Sequence, residues 1–242
     1  MRLKHAKRAV DVLLGVGLMM MMSYSVTGET VHEWAGLVMA ALMILHQILN
    51  RGWYAALFRG RYTPLRIAQT AVNAGLLITF VLTALSGVNM SVHAVPFLGD
   101  FMAQSLGRRL HLTLSHWCFV LMGLHLGLHV PAMLKGVKNR IVRRAGFGCS
   151  VPAAGVGLWL MLKNGWPDYL FWRVPFAFID YGKPAALALT EALPIAFFWA
   201  FVGAQLPKLL SRGTEKGVRL AAVIGVAAAC ALGAGLTAAL GV

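Results

Sequence analysis

Six of the eight histidines in this 242-residue chain fall within two apolar stretches. His32 and His46 bracket the run HEWAGLVMAALMILH, and His111, His116, His125 and His129 punctuate HLTLSHWCFVLMGLHLGLH. Imidazole moves protons near neutral pH and is the commonest metal ligand in proteins. Its placement here is regular: His32 and His46 are 14 residues apart, and so are His111 and His125. At about 3.6 residues per turn, 14 residues make nearly four turns, so each pair projects from one helix face with roughly 21 Å between its members. Two such helices, if they face one another in the same direction, stack two levels of paired imidazoles.

The elements that must carry these histidines are membrane helices. The apolar fraction is 59%, the mean hydropathy +0.71 and the charged fraction only 12%, against about 25% charged in soluble domains. Spans need roughly 20 apolar residues. The sequence offers seven, at 10–27, 31–50, 66–90, 110–134, 149–164, 185–207 and 217–241, the fifth being the shortest. Backbone groups in hydrocarbon must bond internally, which makes these spans helical. The expected fold is therefore an all-α, multi-pass membrane protein. Residues 1–145 form a four-helix bundle of spans one to four, and residues 146–242 add about three more transmembrane helices.

The net charge of +14 is distributed in short basic clusters, at residues 2–8, 51–66, 135–144 and 208–219, with apolar runs between them. That is a positive-inside pattern, not a basic face interleaved with stacking aromatics, and it excludes nucleic acid as a partner. With the N-terminus in the cytoplasm of a bacterial membrane, 17 of the 22 Lys and Arg lie inside and five outside. The segment MRLKHAKRAVDVLLGVGLMMMMSYSVTGET is basic and then apolar, like a signal peptide, but lacks a small-residue cleavage site. It reads as a retained first helix. The outer stretch NGWPDYLFWRVPFAFIDYGKP, rich in aromatics, reads as an interfacial segment.

In this topology spans two and four both run from outside to inside. His32 and His111 then share the outer level, while His46 and His125 share the inner one. Two ligands per level suit a bis-histidine haem in the core of a helical bundle. They suit zinc poorly, because zinc takes four ligands, or three and an open position. Gly36, one turn after His32, leaves room on the same face for a flat macrocycle, and Gly15, Gly17, Gly75 and Gly87 could do the same or serve helix packing. His129 competes for the inner level. The 14-residue spacing selects His125, whereas the distance to the basic boundary matches His129 better. Arg51 inside, and Arg108 and Arg109 outside, stand where haem propionates would emerge. His116, about 140° round the helix from His111, is expected to be a hydrogen-bonded neighbour and not a ligand. His93 is expected at the interface and His5 in the basic tail. Cys118, Cys149 and Cys230 share no CxxC spacing and read as small buried hydrophobes, and without CxxCH any haem is held non-covalently. The run Met19–Met22 reads as adaptable helix packing.

The segments TGETVHEWAGLVMAALMILHQILNRGWYAALFRGRYTPLRIAQT and LHLTLSHWCFVLMGLHLGLH resemble the flavinylation-associated cytochrome family, across roughly residues 8 to 135. DYLFWRVPFAFIDYGKP is similar to the tail of some members. The resemblance implies a b-type membrane cytochrome exchanging electrons with outward-facing flavin domains. It implies His32, His46, His111 and His125 or His129 as the ligand positions, and an aromatic residue is frequent in the family where His116 stands. No flavin attachment motif occurs in the chain, so covalent flavin would belong to a partner.

The expected function is electron transfer through two haem b groups, between quinol or a cytoplasmic-side donor and an extracytoplasmic flavoprotein or other redox partner. The protein would be an electron-transfer subunit and not a self-contained enzyme. Two rivals make different predictions. A histidine- and methionine-lined metal permease needs a polar path in mid-span, where only Asn73, Thr79, Thr83 and the histidines are available. A non-redox anchor subunit gives the repeated spacing no role.

Overall fold

A computed structural model describes residues 2–134 and 139–211. Among these residues every regular element is helical: α1 (Arg2–Met21), α2 (Tyr24–Leu49), α3 (Gly52–Leu57), α4 (Pro64–Met90), α5 (Gln104–Met133), α6 (Arg140–Lys163), α7 (Trp166–Leu170) and α8 (Ala185–Ser211), with a single 3₁₀ turn at Pro96–Leu98. The expected seventh span at 217–241 and Cys230 lie outside the described residues.

Four of the helices are long and apolar enough to cross a membrane: Tyr24–Leu49, Pro64–Met90, Gln104–Pro131 and Ala185–Leu210. The expected span at 10–27 is broken at Met22–Ser23, where α1 ends and α2 begins, and the one at 149–164 is helical but falls short of that measure. The first helix opens on Arg2, Lys4, Lys7 and Arg8 and stops at Met21, so its apolar part is brief. The apolar part of α6 is limited to Gly148–Lys163.

The core lies around α5. Half of its apolar window is buried, against 6% for α2, which makes α5 the centre and α2 a flank. Phe119, Val120, Leu121, Leu124 and Leu128 of α5 pack against Ala68 and Val72 of α4 and against Ala192, Ile195, Ala196 and Leu206 of α8. One continuous core therefore joins residues from both sides of position 145, and the expected division there does not separate two packing units. Small residues make this possible. A Cβ on Gly127 would lie within 2.8 Å of Ala204 N and Gly203 Cα, so α5 and α8 touch backbone to backbone. Such close approach is how membrane helices gain dispersion energy without a hydrophobic drive.

The first pair of helices attaches differently. After Met21 the chain reverses at Met22 and Ser23, where Ser23 Oγ reaches back to the carbonyl of Met19 and across to that of Ala188 in α8. Gly28 interrupts α2 with φ +65, a left-handed conformation that glycine adopts without a Cβ clash. Met19 and Met22 pack against the core, while Met21 and Met39 fill the space between α1 and α2, Met39 Sδ crowding the position of Gly17. Met21 Cε is 3.6 Å from where a Gly36 Cβ would be.

Two polar clamps fix the outer end. Asn89, fully buried, binds Met102 through both its amide oxygen and its amide nitrogen, and its carbonyl accepts from Asp100 N and Gln104 Nε2. Glu33 of α2 accepts from Ser91 Oγ at 2.7 Å, Val92 N at 3.0 Å and His93 N and Ala94 N at 2.8 Å each. The aromatic stretch 165–184 is only partly a surface segment. Trp166 and Leu170 of α7 insert into the core, and Trp117 Nε1 donates to the Leu170 carbonyl, whereas Phe178 and Tyr181 stay exposed. Lys183 and Asn164 both bind Glu191, closing that segment onto α8.

Overpacking a tight core costs about 1–3 kcal/mol. Gly127→Val is accordingly expected to lower the detergent-solubilised melting temperature by several degrees. Gly15→Ala, with nothing within 4 Å of its added carbon, is expected to leave it unchanged. Fluorescence-detected thermal melts of the two variants check this.

Candidate functional site

The outer histidines meet. The rings of His32 and His111 have centroids 5.9 Å apart and planes inclined by 68°. Two imidazoles on opposite sides of one metal, with bonds of about 2 Å each, have ring centres roughly 6 Å apart. The local sequence explains how His111 is held. Its Nδ1 donates to the Thr83 carbonyl at 3.0 Å, a group left accessible where α4 passes α5, and Ser86 Oγ lies 3.4 Å away. That bond puts the proton on Nδ1 and leaves Nε2 with its lone pair, the tautomer a metal ligand needs. Gly87 makes room, since a Cβ there would press on His111 Cε1 at 3.2 Å. His32 contacts the Tyr24 ring at 5.1 Å, and among the described residues its buried Nδ1 has no hydrogen-bond partner. A buried polar atom left unpaired costs free energy unless a further group satisfies it.

The inner level is assembled from four helices. His46 Nδ1 lies 2.9 Å from Asp11 Oδ1 on α1. His125 Nδ1 lies 2.8 Å from the side-chain amide of Asn73 on α4. The Asn73 amide satisfies most partners with its nitrogen toward His125 and the Gln69 carbonyl and its oxygen accepting from Trp53 Nε1. In that orientation His125 carries its proton on Nε2, and ligation through Nε2 would turn the amide over. His46 and His125 both lie toward the C-terminal, inner ends of α2 and α5. His129 rests against His125, ring centroids 4.8 Å apart, and faces a cleft of about 320 Å³ lined also by Trp53, Arg66, Gln69, Thr70 and Asn73.

The remaining expected residues are distributed as follows. Gly36 has open space beside it, with Met21 Cε the nearest atom. Arg108 is exposed, three residues before His111. Arg109 stands on another face of α5, about 160° from His111, with its guanidinium 5.6 Å from the Trp172 ring and its Nε buried and unpaired. Arg51 is exposed at the start of α3. His116 is buried, donates from Nδ1 to the Leu112 carbonyl at 2.7 Å and stacks flat on Tyr169 at 4.5 Å. Its ring is thus committed to α7, away from His32. His93 is exposed and sits 3.6 Å from Glu29. Together with Glu33 they form an acidic cluster at the outer surface, but the oxygens of Glu33 are already taken by four donors.

Comparison of the chain with protein-family models, with curated proteins and with solved structures finds no match in any of the three.

Asp11, Glu33 and Trp53 are the site's contributors that spacing alone does not expose. Asp11 carried a signal of another kind, a lone acid in an apolar helix, where ionisable side chains need a reason. The role of Glu33 depends on the backbone of 92–94, which has no side-chain signature.

Hydrogen bonds to charged acceptors contribute about 1.5–3 kcal/mol each. Glu33→Ala removes four acceptor contacts at once, and is expected to lower the melting temperature and to make the 91–95 amides exchange with deuterium at least tenfold faster. Hydrogen-exchange mass spectrometry of wild type and variant is the measurement, and unchanged exchange refutes the clamp.

Proposed function

We propose that the protein is a membrane cytochrome that holds two haem b groups without covalent attachment and moves single electrons between the two faces of the membrane. The observation that carries this reading is the His32–His111 ring pair, with His111 held as the Nδ1–H tautomer by a carbonyl and His32 offering an unsatisfied buried nitrogen. The donor set fits haem b on two further counts. Gly87 and Gly36 keep bulk away from the outer histidines, and His46 of the inner level has a carboxylate partner for its Nδ1 on another helix.

Haem b, when bound, supplies a one-electron iron couple. The chain's own residues do the rest. His32 and His111 hold the outer site, and His46 with His125 the inner one, His129 standing ready beside it. Thr83 and Asp11 orient the imidazoles, and the apolar faces of α2, α4 and α5 exclude water. Arg108 and Arg51 lie at the two mouths to meet carboxylates. The resemblance of residues 8 to 135 to flavinylation-associated cytochromes supports an outward flavoprotein partner and a quinol or cytoplasmic-side donor. In this reading α1, α6 and residues 217–241 complete about seven spans, with the N-terminus in the cytoplasm of a bacterial membrane.

The permease alternative loses support from the mid-span hydroxyls. Thr79, Thr83 and Ser86 all bond back to carbonyls of their own helix, so these three donors are engaged within α4.

The test is a reduced-minus-oxidised spectrum and haem quantitation on the full chain, purified from a haem-replete host. Two haems with b-type bands are expected. His32→Ala and His111→Ala should lose the same haem, and His46→Ala the other. His125→Ala is expected to lose the inner haem and His129→Ala to keep it. His116→Phe, which preserves the stack on Tyr169, is expected to retain both. A colourless protein, or two haems in both His32→Ala and His46→Ala, overturns the proposal.

A further inference from the structure

The two levels differ in what holds the imidazole. At the outer level the acceptor for His111 Nδ1 is the neutral Thr83 carbonyl. At the inner level the partner of His46 Nδ1 is the Asp11 carboxylate, at 2.9 Å. Asp11 reaches His46 from a different helix; the side chain of His46 is 23% exposed and that of Asp11 53%. Asn50 Nδ2 donates to the His46 carbonyl at 3.0 Å, and Lys7 Nζ in turn donates to Asn50 Oδ1.

A carboxylate on the remote nitrogen of a ligating imidazole fixes its tautomer and raises its basicity. A more basic axial ligand, with a negative charge beside it, favours the ferric over the ferrous state and lowers the potential. Lys7 and the nearby Arg8 oppose this with positive charge. They act through space and water, whereas Asp11 acts through the ligand, so the carboxylate dominates.

We infer that Asp11 is a positioning residue that makes the His46 level the more reducing of the two, so that electrons run downhill from the Asp11 end of the bundle to the Glu33 end. The step is balanced as it stands: one electron leaves the His46 site, which is oxidised, and enters the His32–His111 site, which is reduced, with no proton transferred. The inference rests on the haem reading of His46, and it holds whether His125 or His129 is the facing ligand. At the outer level the nearest carboxylate, Glu33, is engaged by four donors of residues 91–94 and bonds neither ligating imidazole.

The experiment is a potentiometric titration of the full chain carrying Asp11→Asn, followed by optical and low-temperature EPR spectra, with Asp11→Glu alongside. Asn keeps an acceptor oxygen and removes the charge. In wild type, the haem lost on His46→Ala should be the lower-potential one. In Asp11→Asn that haem should remain bound, with its potential raised by a tenfold or larger change in the ferric-to-ferrous ratio, about 59 mV for one electron. Its low-spin EPR signal should shift, and the other haem should keep its potential. Asp11→Glu should stay nearer wild type than Asn. Two haems with unmoved potentials in Asp11→Asn, or a shift confined to the haem lost on His32→Ala, overturns the role of Asp11 and leaves the haem assignment standing. Absence of haem from wild type, or two haems in His46→Ala, overturns both.

Discussion

One carboxylate sets the height of α2. The flank formed by α1 and α2 has little close packing with the core, so nothing like the glycine-to-glycine contact of α5 and α8 holds it in register. Glu33 supplies that register by gathering the hydroxyl of Ser91 and three successive amides of 92–94. Those amides belong to the loop that follows α4, outside its hydrogen-bond ladder. His32 is the neighbouring residue on α2, and its ring meets His111 because Glu33 has stopped α2 at that depth. His46, four turns further on, is held separately, by Asp11 of α1 within the same hairpin. The four bonds therefore carry the geometry of the outer level.

The remainder of the molecule is the rigid frame against which that flank is placed. In a bilayer the frame cannot rely on hydrophobic exclusion between helices, so it uses close backbone approach and a few buried polar clamps. Gly123, Gly127 and Gly203 give the first, and Asn89 and Glu191 give the second. His116 belongs to this frame: stacked on Tyr169 and edge-on to Trp166, it cements α7 to α5. Four histidines on one helix thus divide between two tasks according to the direction in which each faces.

Much of this was legible in the residues. The 14-residue repeat in His32/His46 and His111/His125 and the basic clusters together yield two parallel helices with imidazoles at matching depths, and the structure brings His32 to His111. His116 is likewise placed by its angle on the helix. Arg109 was not legible, because its proximity to His111 in sequence hides an angular offset of nearly half a turn, and it is Trp172 that it meets. The long aromatic stretch reads as a surface segment because composition does not reveal that Trp166 and Leu170 point inward. Apolar run lengths count helices but do not say which pairs share small residues, and α8 lies on α5 through glycines and alanines. Asp11 needed the fold, since its partner is 35 positions away.

The methionines between α1 and α2 give that hairpin a pliant interior. Unbranched thioether chains give way at little energetic cost, and Met39, whose sulfur crowds the position of Gly17, marks the tightest such point. The hairpin can therefore adjust the spacing of its two helices while the α5–α8 spine, held backbone to backbone, keeps its shape.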